Sequence, residues 1–137
     1  MNPLHFSIPG KPIAKARPRF FRKGDFVGTY GDQVTEEGRW LWEAKRQIGN
    51  HKLFTGPISL KLKFIMPIPK STSKKELKRI ASEPSHIKKP DLDNLIKFVK
   101  DCLNQFVWRD DSQVCILEAD KYYGSEPQTK ISICEIL

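Results

Sequence analysis

The run from Leu92 to Phe106 constrains the fold more than any other stretch. Leu92, Leu95, Ile96, Val99, Leu103 and Phe106 recur at i, i+3, i+4, i+7, i+11 and i+14, which puts these apolar side chains on one face of a helix. A helix of this kind draws most of its stability from packing that face against something else. A surface for it stands upstream. In "ISLKLKFIM", Ile58, Leu60, Leu62, Phe64 and Met66 point one way, with Ser59, Lys61, Lys63 and Ile65 opposite, which is the period of a half-buried strand. Pro67 and Pro69 end that strand. An amphipathic helix and a half-buried sheet together argue for an α+β arrangement.

The remaining elements follow from local signals. "LHFSI", residues 4–8, reads as a strand ended by Pro9-Gly10. "KPIAKARPRF" reads as an extended loop, because Pro12 and Pro18 lack an N–H and disfavour helix before them. "RFFRKGDFVGTY" reads as a hairpin around Lys23-Gly24-Asp25. A helix capped by Thr35 runs to about Asn50, with Leu41, Ala44 and Ile48 as its buried stripe. Ser73 to Glu76 fits a capping box opening a short helix to about Ala81. The long helix starts near Asp91 and runs to about Phe106, and strands 114–123 and 129–136 follow. With 137 residues, 39% of them hydrophobic, the chain is expected to form one domain, 1–137, with helices on one face of a mixed or antiparallel sheet.

Charge is spread unevenly. The formal net charge is +8, yet residues 90–137 carry five basic and nine acidic side chains. Residues 1–24 hold six basic residues and no acid, and residues 70–89 hold seven basic residues against Glu76 and Glu83. Clustered Lys and Arg favour a polyanion, since neutralising phosphates releases counterions; a solvated surface is the plainer alternative. No apolar run approaches a membrane span, and the N-terminus lacks a secretory pattern. Cys102, Cys115 and Cys134 are odd in number and without C-x-x-C spacing, so they read as buried free thiols in a reducing cytoplasm, and the scattered histidines make zinc a poor fit.

Against this basic background, the acids Asp91 and Asp93 open the long helix, and Asp110 and Asp111 follow it. Each pair has a structural explanation. Asp91 follows Pro90 and suits an N-cap, Asp93 complements the helix dipole, and Asp110-Asp111 suits a polar turn. Lys97, four residues after Asp93, suits a solvated ion pair. The chemical explanation joins them. Carboxylates that converge repel one another unless a cation lies between them, and carboxylate oxygens are what Mg²⁺ takes. A basic protein with such a cluster fits metal-assisted phosphodiester hydrolysis, with Lys97 stabilising the charge that develops on the phosphate. That reading needs the chain to double back, because a helix of this length separates its ends by about 22 Å.

"KKPDLDNLIKFVKDCLNQFVWRDDSQV", running into "KYY", resembles the RusA-type Holliday junction resolvases, crossover junction endodeoxyribonucleases of bacteria and their phages. The shared pattern is P-D-x-D-N-L-x-K, a helix, then W-x-D-D-x-Q. "IPGKPIAKARPRF" is also similar to that group. The resemblance implies a homodimer with two active sites making Mg²⁺-dependent paired cuts across a four-way DNA junction. By position it assigns Asp91, Asp93 and Asp111 to the metal and Lys97 to catalysis, with Asp111 preferred over Asp110 by order within the pair. Lys11, Lys15, Arg17 and Arg19 in the first basic loop, and Lys88 and Lys89 before the acids, are the expected DNA contacts. The rival readings are a basic DNA-binding protein without chemistry and a DNA nuclease without junction preference.

Overall fold

The alternating strand of the sequence becomes an inner strand of the sheet. A computed structural model describes residues 3–16, 19–23, 26–30 and 34–136. In chain order the elements are β1 (Leu4–Pro9), β2 (Arg19–Lys23), β3 (Phe26–Tyr30), α1 (Val34–Ile48), β4 (Ile58–Met66), α2 (Lys74–Ser82), α3 (Leu92–Leu103), β5 (Val114–Tyr123) and β6 (Gln128–Glu135). A single 3₁₀ turn, Asp111–Gln113, leads into β5. The main sheet has the order β1-β6-β4-β5, and β2 pairs with β3 as a separate hairpin. β6 is antiparallel to both its neighbours, whereas β5 is parallel to β4. The sheet is therefore mixed. A parallel neighbour requires a crossover connection, and α3 supplies it, so α3 runs back antiparallel to β5.

The core forms on one face of this sheet. Ile58, Leu60, Leu62, Phe64 and Met66 are all within 1% of full burial. Against them pack Leu95, Phe98, Val99, Cys102 and Leu103 of α3 and Trp40 and Ala44 of α1. The edge of one ring of the Trp40–Phe98 pair meets the face of the other at 6.0 Å. The buried face of α3 is thus turned from the expected stripe toward Phe98 and Cys102, and Leu92, Ile96 and Phe106 are only partly buried. The reason is that α3 has two neighbours, the sheet and α1. On α1 the deeply buried pair is Trp40 and Ala44, while Leu41 is intermediate and Ile48 partly buried. Burial pushes the Cys102 thiol up to about 12, leaving it inert. Cys115, against expectation, is exposed on β5.

Helix ends also differ from expectation in instructive ways. α1 begins at Val34, so Thr35 lies within its first turn. Ser73 does cap α2, accepting from the Glu76 N–H at 3.1 Å, but the Glu76 carboxylate turns to Arg79 instead of completing the box. α3 stops at Leu103 because Gln105 takes φ +66° and its N–H bonds the Trp108 carbonyl at 2.7 Å, turning Trp108 into the core. Among the described residues, no helix is long and apolar enough to cross a membrane.

The loop after β5 has no room for a side chain at Gly124. A Cβ there would lie 2.5 Å from Ile65 Cγ2. Gly124→Ala is expected to cost about 1–3 kcal/mol by overpacking. Urea titration checks this, and the same substitution should cost little more once Ile65→Ala has opened the space.

Candidate active site

Asp91 occupies the N-cap position of α3, with φ −69° and ψ 145°, yet its side chain makes no capping bond. Its backbone carbonyl accepts the first helical bond, from the Leu95 N–H at 3.2 Å. The carboxylate instead meets the Lys89 ammonium at 3.2 Å, an ion pair open to solvent. Such a pair contributes about 0–1 kcal/mol, so it does not commit the carboxylate. Asp93 and Lys97 are both exposed, and neither has a hydrogen-bond or ion-pair partner among the described residues. The cap explanation for Asp91 and the i,i+4 pair for Lys97 are therefore not realised. Only the favourable interaction with the helix dipole remains for the two acids, at about 0.3–1 kcal/mol each.

The approach to this helix end is held from behind. The Lys121 ammonium donates to the carbonyls of Lys88, at 2.6 Å, and Pro90, at 2.7 Å. Partial burial draws the pKa of Lys121 down, and the charge on Asp91 opposes that shift. Upstream, Ser85 pairs with Tyr122, the His86 N–H bonds the Lys121 carbonyl, and the Tyr123 N–H bonds the Pro84 carbonyl. His86 is buried against Tyr123, with ring centroids 4.8 Å apart. Residues 84–90 thus form a strap fixed to the end of β5. The Lys89–Pro90 peptide within it is cis. Sequence reasoning did not assign Lys121 this role; its only signal was the lysine of "KYY" at a strand's end.

A cavity of about 1240 Å³ opens beside Asp91. Lys11, Arg39 and Lys89 line it along with Glu36, Glu43 and the exposed indole of Trp42, so its rim carries charges of both signs. Lys11 and Lys88 are exposed, as their expected role requires. Lys15 is engaged within the fold. Its ammonium lies 3.0 Å from Glu37 and 3.2 Å from Asp101, and the Glu37 bond is the main reason its pKa is raised. With two carboxylates on it, Lys15 ties α1 to α3 instead of presenting a free charge to phosphate. Arg17 lies outside the described residues, and Arg19 opens β2 with only its backbone described.

The second acid pair divides by role. Asp110 caps the 3₁₀ turn. It accepts from the Ser112 N–H at 2.9 Å, its own N–H donates to Gln113 Oε1 at 2.8 Å, and Ser112 holds its carboxyl below the usual carboxylate range. Gln113 also donates to the carbonyls of Phe54 and Gly56, at 3.0 and 2.9 Å, fastening the turn to the start of β4. Asp111 has a different partner. The indole N–H of fully buried Trp108 donates to its Oδ1 at 2.8 Å. W-x-D-D-x-Q is therefore one local device: Asp110 and Gln113 build the turn, and Trp108 aims Asp111.

Within one chain the fold does not bring Asp111 to Asp91 and Asp93, so the expected doubling back is not met there. Asp91 stands by Lys121 at the end of β5, while Asp111 precedes the start of that strand. The seven residue steps from Val114 to Lys121 span about 23 Å. The 12 residues of α3, running the other way, span about 18 Å. Both rulers keep the two acid groups apart. Among the described residues, no three His, Cys, Asp or Glu side chains form a group able to hold a metal ion.

Comparison with known proteins gives two matches. Residues 9–134 match the family described as endodeoxyribonuclease RusA. An uncharacterized Bacillus subtilis (strain 168) protein, YqaN, is 33% identical over 140 residues, covering 99% of this chain and 99% of its own.

Proposed function

The chain belongs to the RusA family of endodeoxyribonucleases, and from that membership and its site we propose that it is a Mg²⁺-dependent homodimeric enzyme that resolves four-way DNA junctions by paired phosphodiester hydrolysis. The observation that carries the reading is the end of α3. Asp91, Asp93 and Lys97 stand exposed within two turns of one another, and no fold-building contact commits them. Exposed charges are ordinary on any surface; what supports the reading is that these three gather at one helix end in a chain of this family.

The donors fit a hard cation. Asp91 and Asp93 offer carboxylate oxygen alone, and Asp111 keeps one oxygen unbonded while Trp108 holds the other. Since Asp111 is distant within its own chain, the third carboxylate of the proposed site is Asp111 of the partner subunit. A bound Mg²⁺ would polarise the phosphoryl oxygen and lower the pKa of an attacking water. The chain's own groups do the rest. Lys97 neutralises charge developing on the scissile phosphate. Lys11, Lys88 and Lys89 hold the DNA backbone beside the cavity, with Arg17 and Arg19 proposed to extend the basic track. Lys121 keeps the 84–90 strap, and with it Lys88, in place.

A two-chain site makes a specific prediction. Two inactive variants, Asp91→Asn and Asp111→Asn, are unfolded together, refolded as mixed dimers and given a labelled four-way junction with Mg²⁺. A heterodimer then contains one site with all its acids and one with none of the tested carboxylates. Nicking should return to about a quarter of the wild-type rate, because half the dimers carry one good site of two. Two sites each built within one chain would both be damaged in the mixture, and no activity would return. Matched linear duplex and flap substrates separate a junction resolvase from a general nuclease. Binding without nicking in either metal, Mg²⁺ or Mn²⁺, by the wild type would leave only a DNA-binding protein.

A further inference from the structure

We propose that the cavity beside Asp91 takes one unstacked nucleobase of the DNA, with Trp42 as the surface on which the base lies and Asn94 at its edge. This rests on the reading of the chain as a nuclease and adds a base-holding subsite to it.

Three segments bound the cavity: the chain from Ile8 to Ala14, α1 from Glu36 to Glu43, and the entry to α3 from Lys89 to Asn94. Its volume of about 1240 Å³ exceeds the roughly 300–1,000 Å³ of ordinary ligand pockets, so a base has room. Trp42 stands on its wall, 66% exposed. Among the described residues its ring has no aromatic or cationic partner. A single exposed apolar side chain is ordinary. This one is set apart by its company. Asn94 follows Asp91 by three residues, so both lie on one face of α3. The backbone carbonyl of Asn94 accepts from the Lys15 N–H at 3.0 Å, but its half-buried side-chain amide bonds no described residue. An amide offers a donor and an acceptor together.

The lining chooses the occupant. A phosphate inside would have the carboxylates of Glu36, Glu43 and Asp91 as neighbours, which places the DNA backbone at the mouth, by Lys89. A base is uncharged, flat and edged with donors and acceptors. An indole face with an amide beside it suits such a ring. Asp91 ties the cavity to the chemistry, because it is both a wall residue and a proposed metal ligand. The base within reach therefore belongs to a nucleotide next to the cut. A base at a branch point is also easier to take out of the stack than one inside a duplex.

Immobile four-way junctions carrying one abasic nucleotide test this, the gap placed in turn at each position within about two nucleotides of the crossover. Affinity for the full-length protein is read by fluorescence anisotropy without Mg²⁺. Trp42→Ala should weaken binding of the intact junction about 10-fold, the order of one base–aromatic stack, and Trp42→Phe by less than about threefold. At one position the missing base should weaken wild-type binding by a similar factor and add less than about twofold to Trp42→Ala, because both changes remove the same contact. Linear duplex should bind both proteins alike. Mass by light scattering should be the same for both. Equal junction affinity of wild type and Trp42→Ala overturns the proposal. So do penalties that multiply at every position, and so does a changed mass, which would make Trp42 a contact between chains. Nicking in Mg²⁺ without the coupling keeps the nuclease and rejects the subsite. Coupling without nicking keeps the base site and rejects the nuclease. A wild type with no affinity for these DNAs overturns both.

Discussion

Asp93→Asn is expected to bind a four-way junction within about threefold of the wild-type affinity and to cut it more than about 100-fold more slowly in Mg²⁺. The size follows from what the substitution takes away. Removing a group that only orients a metal ligand typically costs 10–100-fold, so removing a ligand should cost at least the upper figure. Retained binding follows from exposure, because Asp93 holds no neighbour in place and losing a negative charge near phosphate does not weaken attraction. Stability should fall by no more than about 1 kcal/mol, the dipole contribution at a helix N-terminus. Gel shift without Mg²⁺, single-turnover cleavage and urea titration on one preparation separate the three quantities. Asp101→Asn is the contrast. That carboxylate is engaged by Lys15, so its loss should touch the α1–α3 tie and leave cleavage within a few-fold. Equal cutting by wild type and Asp93→Asn would return the acids at this helix end to a structural role.

What could be read from the chain beforehand was local. β4 lies where its alternation put it, and Asp91 stands at a helix start because Pro90 precedes an apolar period. The errors sit where distant segments meet. Lys15 looked like a free cation because nothing within its own loop answers it; Glu37 and Asp101 arrive from α1 and α3. The face of α3 was drawn too narrow because periodicity describes one neighbour, and α3 has two. The distance between the acid pairs was the least legible. It depends on β5 lying parallel to β4, and strand direction leaves no mark in a ten-residue apolar pattern. Once that direction is known, the aspartates stand at opposite ends of the α3–β5 unit, and that separation is the reason for proposing a two-chain site.

Trp108→Phe is expected to slow cleavage by about 10–100-fold while raising the Mg²⁺ concentration needed for half-maximal rate. Trp108 is wholly buried, so it touches neither solvent nor DNA, and in the proposed mechanism it acts through one bond. The indole N–H holds Asp111 Oδ1, which fixes where the remaining oxygen points. Phenylalanine keeps most of the packing but has no donor, so Asp111 is free to turn. The smaller ring should also cost about 1–3 kcal/mol, less than truncation of a large aromatic to alanine. Stability loss alone lowers the amount of active protein at every Mg²⁺ concentration and leaves the midpoint unchanged. A shifted midpoint with unchanged junction affinity is therefore the mark of a positioning role. Gln113→Ala provides the comparison: it releases the turn from Phe54 and Gly56 but spares the indole bond, and it should destabilise with a smaller shift. If Trp108→Phe moves only stability, the Trp108–Asp111 bond serves the core, and Asp111 finds its direction some other way.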